Sequence, residues 1–298
     1  MKDKVKGSLC LLIATVIWGS TFVAQSVGLD HIGPFTFQAA RCFLAVLILL
    51  PVIALLDKRN KRSFRKQWNN PKLWISGIVC GAVVFVAGGL QQVGLVYTTP
   101  GKAGFITAMY IVIVPILGLL LKRRPSPLAL VSVVIAVAGL YCLSCVGVSD
   151  VNVGDILLLG CAAAFAVQIT IIDRFVQHID GFRFNCIQSL VCSLLSGVMM
   201  FVTETPQLEA ITACWLPLCY AGILSMGIAF SLQIIGQKHL EPTLASLIMS
   251  LESVFAVLTG WLILGQWLTF WEGVGCALVF SSVILSQIPI KSKKKAPC

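Results

Sequence analysis

Charge is scarce in this sequence: Asp, Glu, Lys and Arg supply 11% of its 298 residues, against 58% hydrophobic. A soluble chain of this length could build a large core but could not cover it with so few charged side chains. Histidine is scarcer still. His31, His178 and His239 lie far apart, and no HExxH or metal-ligand cluster accompanies them, so neither a catalytic nor a metal set is expected. The GxxxxGK[ST] phosphate loop is missing as well, which argues against ATP-driven work within the chain and leaves no expected cofactor. The apolar runs are continuous rather than alternating, which excludes a closed β-barrel. The first run has no small-residue cleavage site and reads as a membrane span, not a signal peptide.

What is present is apolar sequence in span-sized pieces. A bilayer core about 30 Å thick requires roughly 20 apolar residues per helix. Ten segments qualify, at about 8–28, 33–56, 72–95, 101–121, 126–146, 154–174, 183–203, 214–237, 243–263 and 269–289. Net charge is +10, but the cations flank the spans and do not form a nucleic-acid-binding domain. With ten spans, all of the 22 Lys and Arg except Arg41 and Lys102 fall on one side of the membrane. By the positive-inside rule both termini are expected to be cytoplasmic, in the cell's inner membrane. The tail KSKKK is a generic candidate for contact with anionic lipid. The twelve cysteines mostly stand singly in apolar runs, where cysteine acts as a small hydrophobe. Cys142 and Cys145 form a CxxC, but no second pair or neighbouring histidine completes a zinc set.

The chain also repeats itself. Leu232–Gly265 falls on Leu90–Arg123 at an offset of 142, aligning Gly94 with Gly236, Pro100 with Pro242, Ala103 with Ala245 and Gly118 with Gly260. Small residues agree too, Gly104 and Ala108 standing where Ser246 and Ser250 stand. At an offset of 147, Trp18 falls on Phe165 and Thr21 on Gln168. Gln38 and Arg41 fall likewise on Asn185 and Gln188. The boundaries read as 1–147 and 148–298. Each half holds five spans, an odd number, so the second copy crosses the membrane in the opposite sense. Such inverted repeats underlie alternating access, in which a central site opens to one side and then the other.

Polar residues inside the spans mark where function would sit. Arg41 lies about six residues below the outer end of its span, roughly 9 Å of helix, and Glu252 is the one carboxylate near a span's centre. An ionisable residue at membrane depth is a functional candidate, although mutual pairing would be a structural use. Gln91, Gln92 and Gln233 must find protein or water partners, because an unpaired amide in hydrocarbon is costly. Trp18 and Thr21 share a mixed aromatic and polar face with Ala14 and Gln25; packing and cavity lining both explain it. The lining candidates are Trp18, Thr21, Gln38, Arg41, Gln91, Gln168, Gln188, Gln233 and Glu252. Arg41 would favour a carboxylate, and Glu252 an amine or a coupling proton.

Three stretches, ATVIWGSTFVA, ARCFLAVLILLP and LASLIMSLESVFAVLTGWLILGQWLTFWEGVGCALVFSSVIL, make the sequence resemble the EamA-type branch of the drug/metabolite transporter superfamily. The resemblance spans nearly the whole chain. It implies an all-α integral membrane protein with ten transmembrane helices in two inverted five-helix repeats around a central cavity. It further implies transport of small metabolites, often export of amino acids and related compounds. Two departures stand out. The family's Leu-Glu-Pro is here Leu251-Glu252-Ser253, which predicts a softer helix break, and its Gly-Glu is Gly265-Gln266. A relative's proton-coupling glutamate in the first helix has no counterpart, so any coupling would fall to Glu252. The alternative is a non-transporting membrane receptor or assembly subunit on the same fold.

Overall fold

The computed structural model describes residues 2–123, 125–144, 152–265 and 269–288. Arg124, Cys145 of the CxxC pair, Gln266 and the basic tail from Lys291 to Lys295 lie outside them. The described residues form helices and no strands. The ten longer helices are α1 (Lys2–Leu29), α2 (Pro34–Arg59), α3 (Pro71–Leu95), α4 (Pro100–Thr107 with Tyr110–Leu120), α5 (Pro127–Ser144), α6 (Val153–Phe175), α7 (Gly181–Thr203), α8 (Trp215–Gln237), α9 (Pro242–Met249 with Leu251–Leu264) and α10 (Phe270–Ser286). Eight are long and apolar enough to cross a membrane. α5 and α10 are the exceptions among the described residues; both are apolar, α5 runs to the last residue described there, and α10 with 17 residues spans only about 26 Å, shorter than the segment expected there. Large apolar side chains face outward along the bundle, Leu120, Phe201 and Leu262 among them, as suits a surface solvated by lipid.

Helix starts follow local chemistry. Pro34, Pro71, Pro100 and Pro242 each open a helix, where a missing N–H costs nothing. Asn152 with Asp155 and Thr269 with Glu272 form capping boxes at α6 and α10. α2 is capped from a distance. Glu204, just beyond α7, accepts from the Phe35 and Thr36 amides at 2.7 and 2.8 Å and from the Thr36 hydroxyl at 2.6 Å. Gly33 leaves room for that cap: a Cβ there would lie 2.3 Å from the Glu204 carboxyl carbon and push the carboxylate aside.

Contacts recur at the two sequence offsets. α2 packs on α7 and α5 on α10; α3 packs on α6 as α8 packs on α1, and α4 packs on α6 as α9 packs on α1. Two close crossings are glycine pairs. A methyl on Gly7 would meet the Gly236 carbonyl at 2.9 Å, and one on Gly154 would meet the Gly94 carbonyl at 2.7 Å. Gly7 and Gly154 are 147 apart, Gly94 and Gly236 are 142 apart, so the α1–α8 and α6–α3 contacts are copies. Hydrogen bonds repeat likewise: Gln38 donates to the Phe85 carbonyl at 3.1 Å, and Asn185 donates to the Gly227 carbonyl at 3.0 Å.

Two departures from regular helix matter. α4 breaks at Ala108–Met109 and α9 at Ser250, positions that the 142 offset superposes. No proline sits at either break. Instead the chain tightens into three-residue bonds, Met109 N to Ile106 O at 3.1 Å and Ser253 N to Ser250 O at 3.2 Å. The second departure is a π-helical turn in α8, Tyr220–Ala229. A Cβ on Gly81 of α3 would meet the Gln188 carbonyl at 2.8 Å, and one on Gly222 of α8 would meet the Arg41 carbonyl at 2.9 Å. That pair is offset by 141, whereas Phe85 and Gly227 are offset by 142. The wide turn absorbs the one additional residue.

Candidate functional site

The two largest apolar clusters among the described residues lie one around α4, α5, α9 and α10, the other around α2, α3, α7 and α8. Trp18 of α1 and Phe165 of α6 pack against both, and a cavity opens between them. Its void is ≈ 590 Å³ with the mouth included. α1, α2, α3, α4, α6, α8 and α9 all contribute to its wall.

Of the nine residues expected to line such a space, Trp18, Thr21, Arg41, Gln91, Gln168, Gln233 and Glu252 do so. Gln38 and Gln188 do not. Gln38 turns to the Phe85 carbonyl and to Cys192 Sγ, and Gln188 donates to Asn185 Oδ1 while accepting from Cys80 Sγ. A three-residue step rotates a helix position by about 60° from its neighbour. The short amide at Gln38 is therefore spent on α3 and α7, while the longer Arg41 reaches the cavity.

Arg41 and Glu252 do not pair with each other. The guanidinium is buried, donates through Nη1 to Gln25 Oε1, and lies 6.0 Å from the Phe37 ring centroid. Gln25 Oε1 also accepts from Gln92, which makes a neutral amide the hub holding two donors. No carboxylate among the described residues forms an ion pair with Arg41, and its Nε is buried without a partner. Arg183 of α7 shows the contrast. Equally buried, it is bound by both Asp57 and Asp180. Buried cations are normally paired. Arg41 is held in place without being neutralised.

Across the cavity, Glu252 accepts from the Tyr110 hydroxyl at 2.9 Å. Both sit beside the helix breaks, and they are 142 apart, so equivalent positions of the two copies touch. The offset could have revealed Tyr110, but a tyrosine opposite a glutamate does not look like a repeat when only residue types are compared. Other donors and aromatic groups complete the wall. Thr107 Oγ1 and Trp18 Nε1 have no partner, Trp18 stacks edge-on Phe230 at 5.1 Å, and Gln168 and Gln233 exchange amide bonds at 3.2 and 3.0 Å. Among the described residues, no group of three or more His, Cys, Asp or Glu is placed to hold a metal ion.

Comparison with known proteins agrees with this geometry. The EamA-like transporter family model matches twice, at residues 5–145 and 152–287. An uncharacterized transporter of Archaeoglobus fulgidus is 32% identical over 96% of this chain and 87% of its own length. The uncharacterized transporter YoaV of Bacillus subtilis is 26% identical over 97% of this chain and 99% of its own. A solved crystal structure at 18% identity superposes with a TM-score of 0.77, covering 94% of this chain and 96% of its own, and so shares the fold. A multi-pass helical bundle, a largely apolar cavity with polar side chains from both halves on its wall and a family match in each half lead to one assignment: the chain belongs to the EamA-like transporter family.

Proposed function

We propose that the protein moves a small, amino-acid-like solute across the cytoplasmic membrane, in the direction of export, by alternating access. The observation that carries this reading is Arg41, a buried guanidinium on the cavity wall with no carboxylate among the described residues to neutralise it. An anionic group on the solute supplies the missing charge, and charge-assisted bonds to a planar guanidinium are strong and directional. Glu252, on the same cavity, takes the amine or a coupling proton. The two half-length family matches, the copied glycine contacts and the paired helix breaks support two inverted five-helix repeats, 1–147 and 148–298. The charge distribution supports ten crossings with both termini cytoplasmic.

The test is flux by the purified protein in liposomes, across amino acids, polyamines, nucleosides and sugar phosphates. Arg41→Gln is expected to slow transport of a carboxylate-bearing solute by about 10-fold or more, the worth of one hydrogen bond to a charged group. Glu252→Gln is expected to abolish dependence on the amine or on the proton gradient. If every transported solute is indifferent to both changes, the site is elsewhere. Binding without flux under any gradient would favour the receptor reading of the same fold.

A further inference from the structure

The linker between α2 and α3 is a built surface and not a slack connection. Between Lys58 and Lys72 it carries seven cations and no acid. The adjacent carboxylate, Asp57, is buried against Arg183 and offers the linker no neutralisation. The chain leaves α2 through a left-handed turn at Lys61, φ 53°, with Lys61 N bonded to Lys58 O at 3.3 Å and Arg62 N to Asp57 O at 2.9 Å. Glycine is the usual occupant of that position. A lysine retained there keeps a cation at some conformational cost.

Beyond the turn, a short helix, Phe64–Trp68, is pinned to the bundle. The Trp68 ring packs on the Arg183 guanidinium at 5.8 Å and lies 5.9 and 6.0 Å from the Phe64 and Trp74 rings. Trp74 Nε1 donates to the Trp68 carbonyl at 2.8 Å. A cleft lined by Ser63, Arg65, Lys66, Trp68 and Asn69 faces outward beside them. Phe64 and Trp74 keep 43% and 39% of their surface exposed. Cations around a cleft with exposed aromatic rings alongside match the bilayer's interfacial layer, where rings sit at headgroup depth and basic residues meet lipid phosphate. A free phosphate would use the cations and leave the rings unexplained.

We propose that the α2–α3 linker is a binding site for the headgroup of an anionic phospholipid, with Arg65 and Lys66 of the cleft meeting the phosphate, Arg62 adding charge from the preceding turn, and Phe64 and Trp74 entering the interface. Because Trp68 ties this ledge to Arg183 of α7, the bound lipid braces α2 and α3 of the first half against the second. The test titrates delipidated protein with phosphatidylglycerol and with phosphatidylcholine, read by native mass spectrometry. Phosphatidylglycerol is expected to bind in preference. The triple change Arg62→Gln, Arg65→Gln, Lys66→Gln is expected to weaken it on the order of 100-fold, at the surface worth of each cation. Lys2→Gln, Lys4→Gln, Lys6→Gln, the same loss of charge on residues that do not line the cleft, is expected to change it far less. Should the triple variant fail to fold, Lys66→Gln alone is expected to weaken binding about fivefold. Equal weakening by both triples, equal binding of the two lipids, or displacement of the lipid by millimolar inorganic phosphate would each overturn the proposal.

Discussion

Two buried arginines show how much a partner decides. Arg183 is compensated by Asp57 and Asp180, so Arg183→Gln strands a buried carboxylate. Breaking such a pair costs about 3–5 kcal/mol, and the thermal midpoint in detergent is expected to drop steeply or the fold to fail. Arg41→Gln strands no carboxylate and leaves the Gln25 amide oxygen bonded to Gln92, so its midpoint is expected to stay near that of the parent while transport suffers. Lys61 gives a prediction of opposite sign. Lys61→Gly relieves a left-handed lysine and is expected to stabilise the protein by about 1 kcal/mol, measured as a raised midpoint, while weakening phosphatidylglycerol binding. Most of the site's residue types were legible in the sequence, since ionisable and amide side chains at membrane depth stand out against apolar runs. Gln38 and Gln188 were misplaced because sequence spacing gives the face of a helix but not which neighbour lies there. Arg183 read as a membrane-flanking cation because its partners, Asp57 and Asp180, come from two different segments.

At the scale of the helices, the strongest predictions concern places where nothing larger fits. Gly94→Val would drive a branched side chain into Leu158 and the Gly154 carbonyl, and Gly236→Val would drive one into Leu11 and the Gly7 carbonyl. Overpacking of this kind costs about 1–3 kcal/mol, and the two variants are expected to show similar losses in midpoint because their surroundings are copies. Glu204→Ala removes the carboxylate that caps α2 and is expected to cost about 1–2 kcal/mol, visible in the same melting experiment. Ten span-length apolar runs were legible, and eight of them are helices long enough to cross a membrane; the break in α4 was not legible, and that in α9 only through the family resemblance. The length of α10 was not legible: the apolar run continues past Ser286, where the helix ends. Nor could the distant cap on α2 be read, because Glu204 and Thr36 meet only after folding.

For the whole molecule, the duplication sets what motion is available. The glycine contacts hold α1 to α8 and α3 to α6, while Ser253 of α9 donates to the Gly104 carbonyl of α4 at 2.9 Å, tying the two broken helices together. Lys102 with Asp155 and Arg123 with Asp173 fasten both ends of α4 to α6, and α9 has no matching ion pairs with α1 among the described residues. Cross-linking α9 to α1 through engineered cysteines is therefore expected to inhibit flux more than cross-linking α4 to α6, read as transport before and after reduction. The π-helical turn in α8 carries this asymmetry further. One extra residue lies in the second copy only, so exchanging the roles of the halves cannot reproduce the same energy. If the halves exchange roles as proposed, the solute-free protein is expected to favour one facing state, a bias written into its backbone before any solute binds.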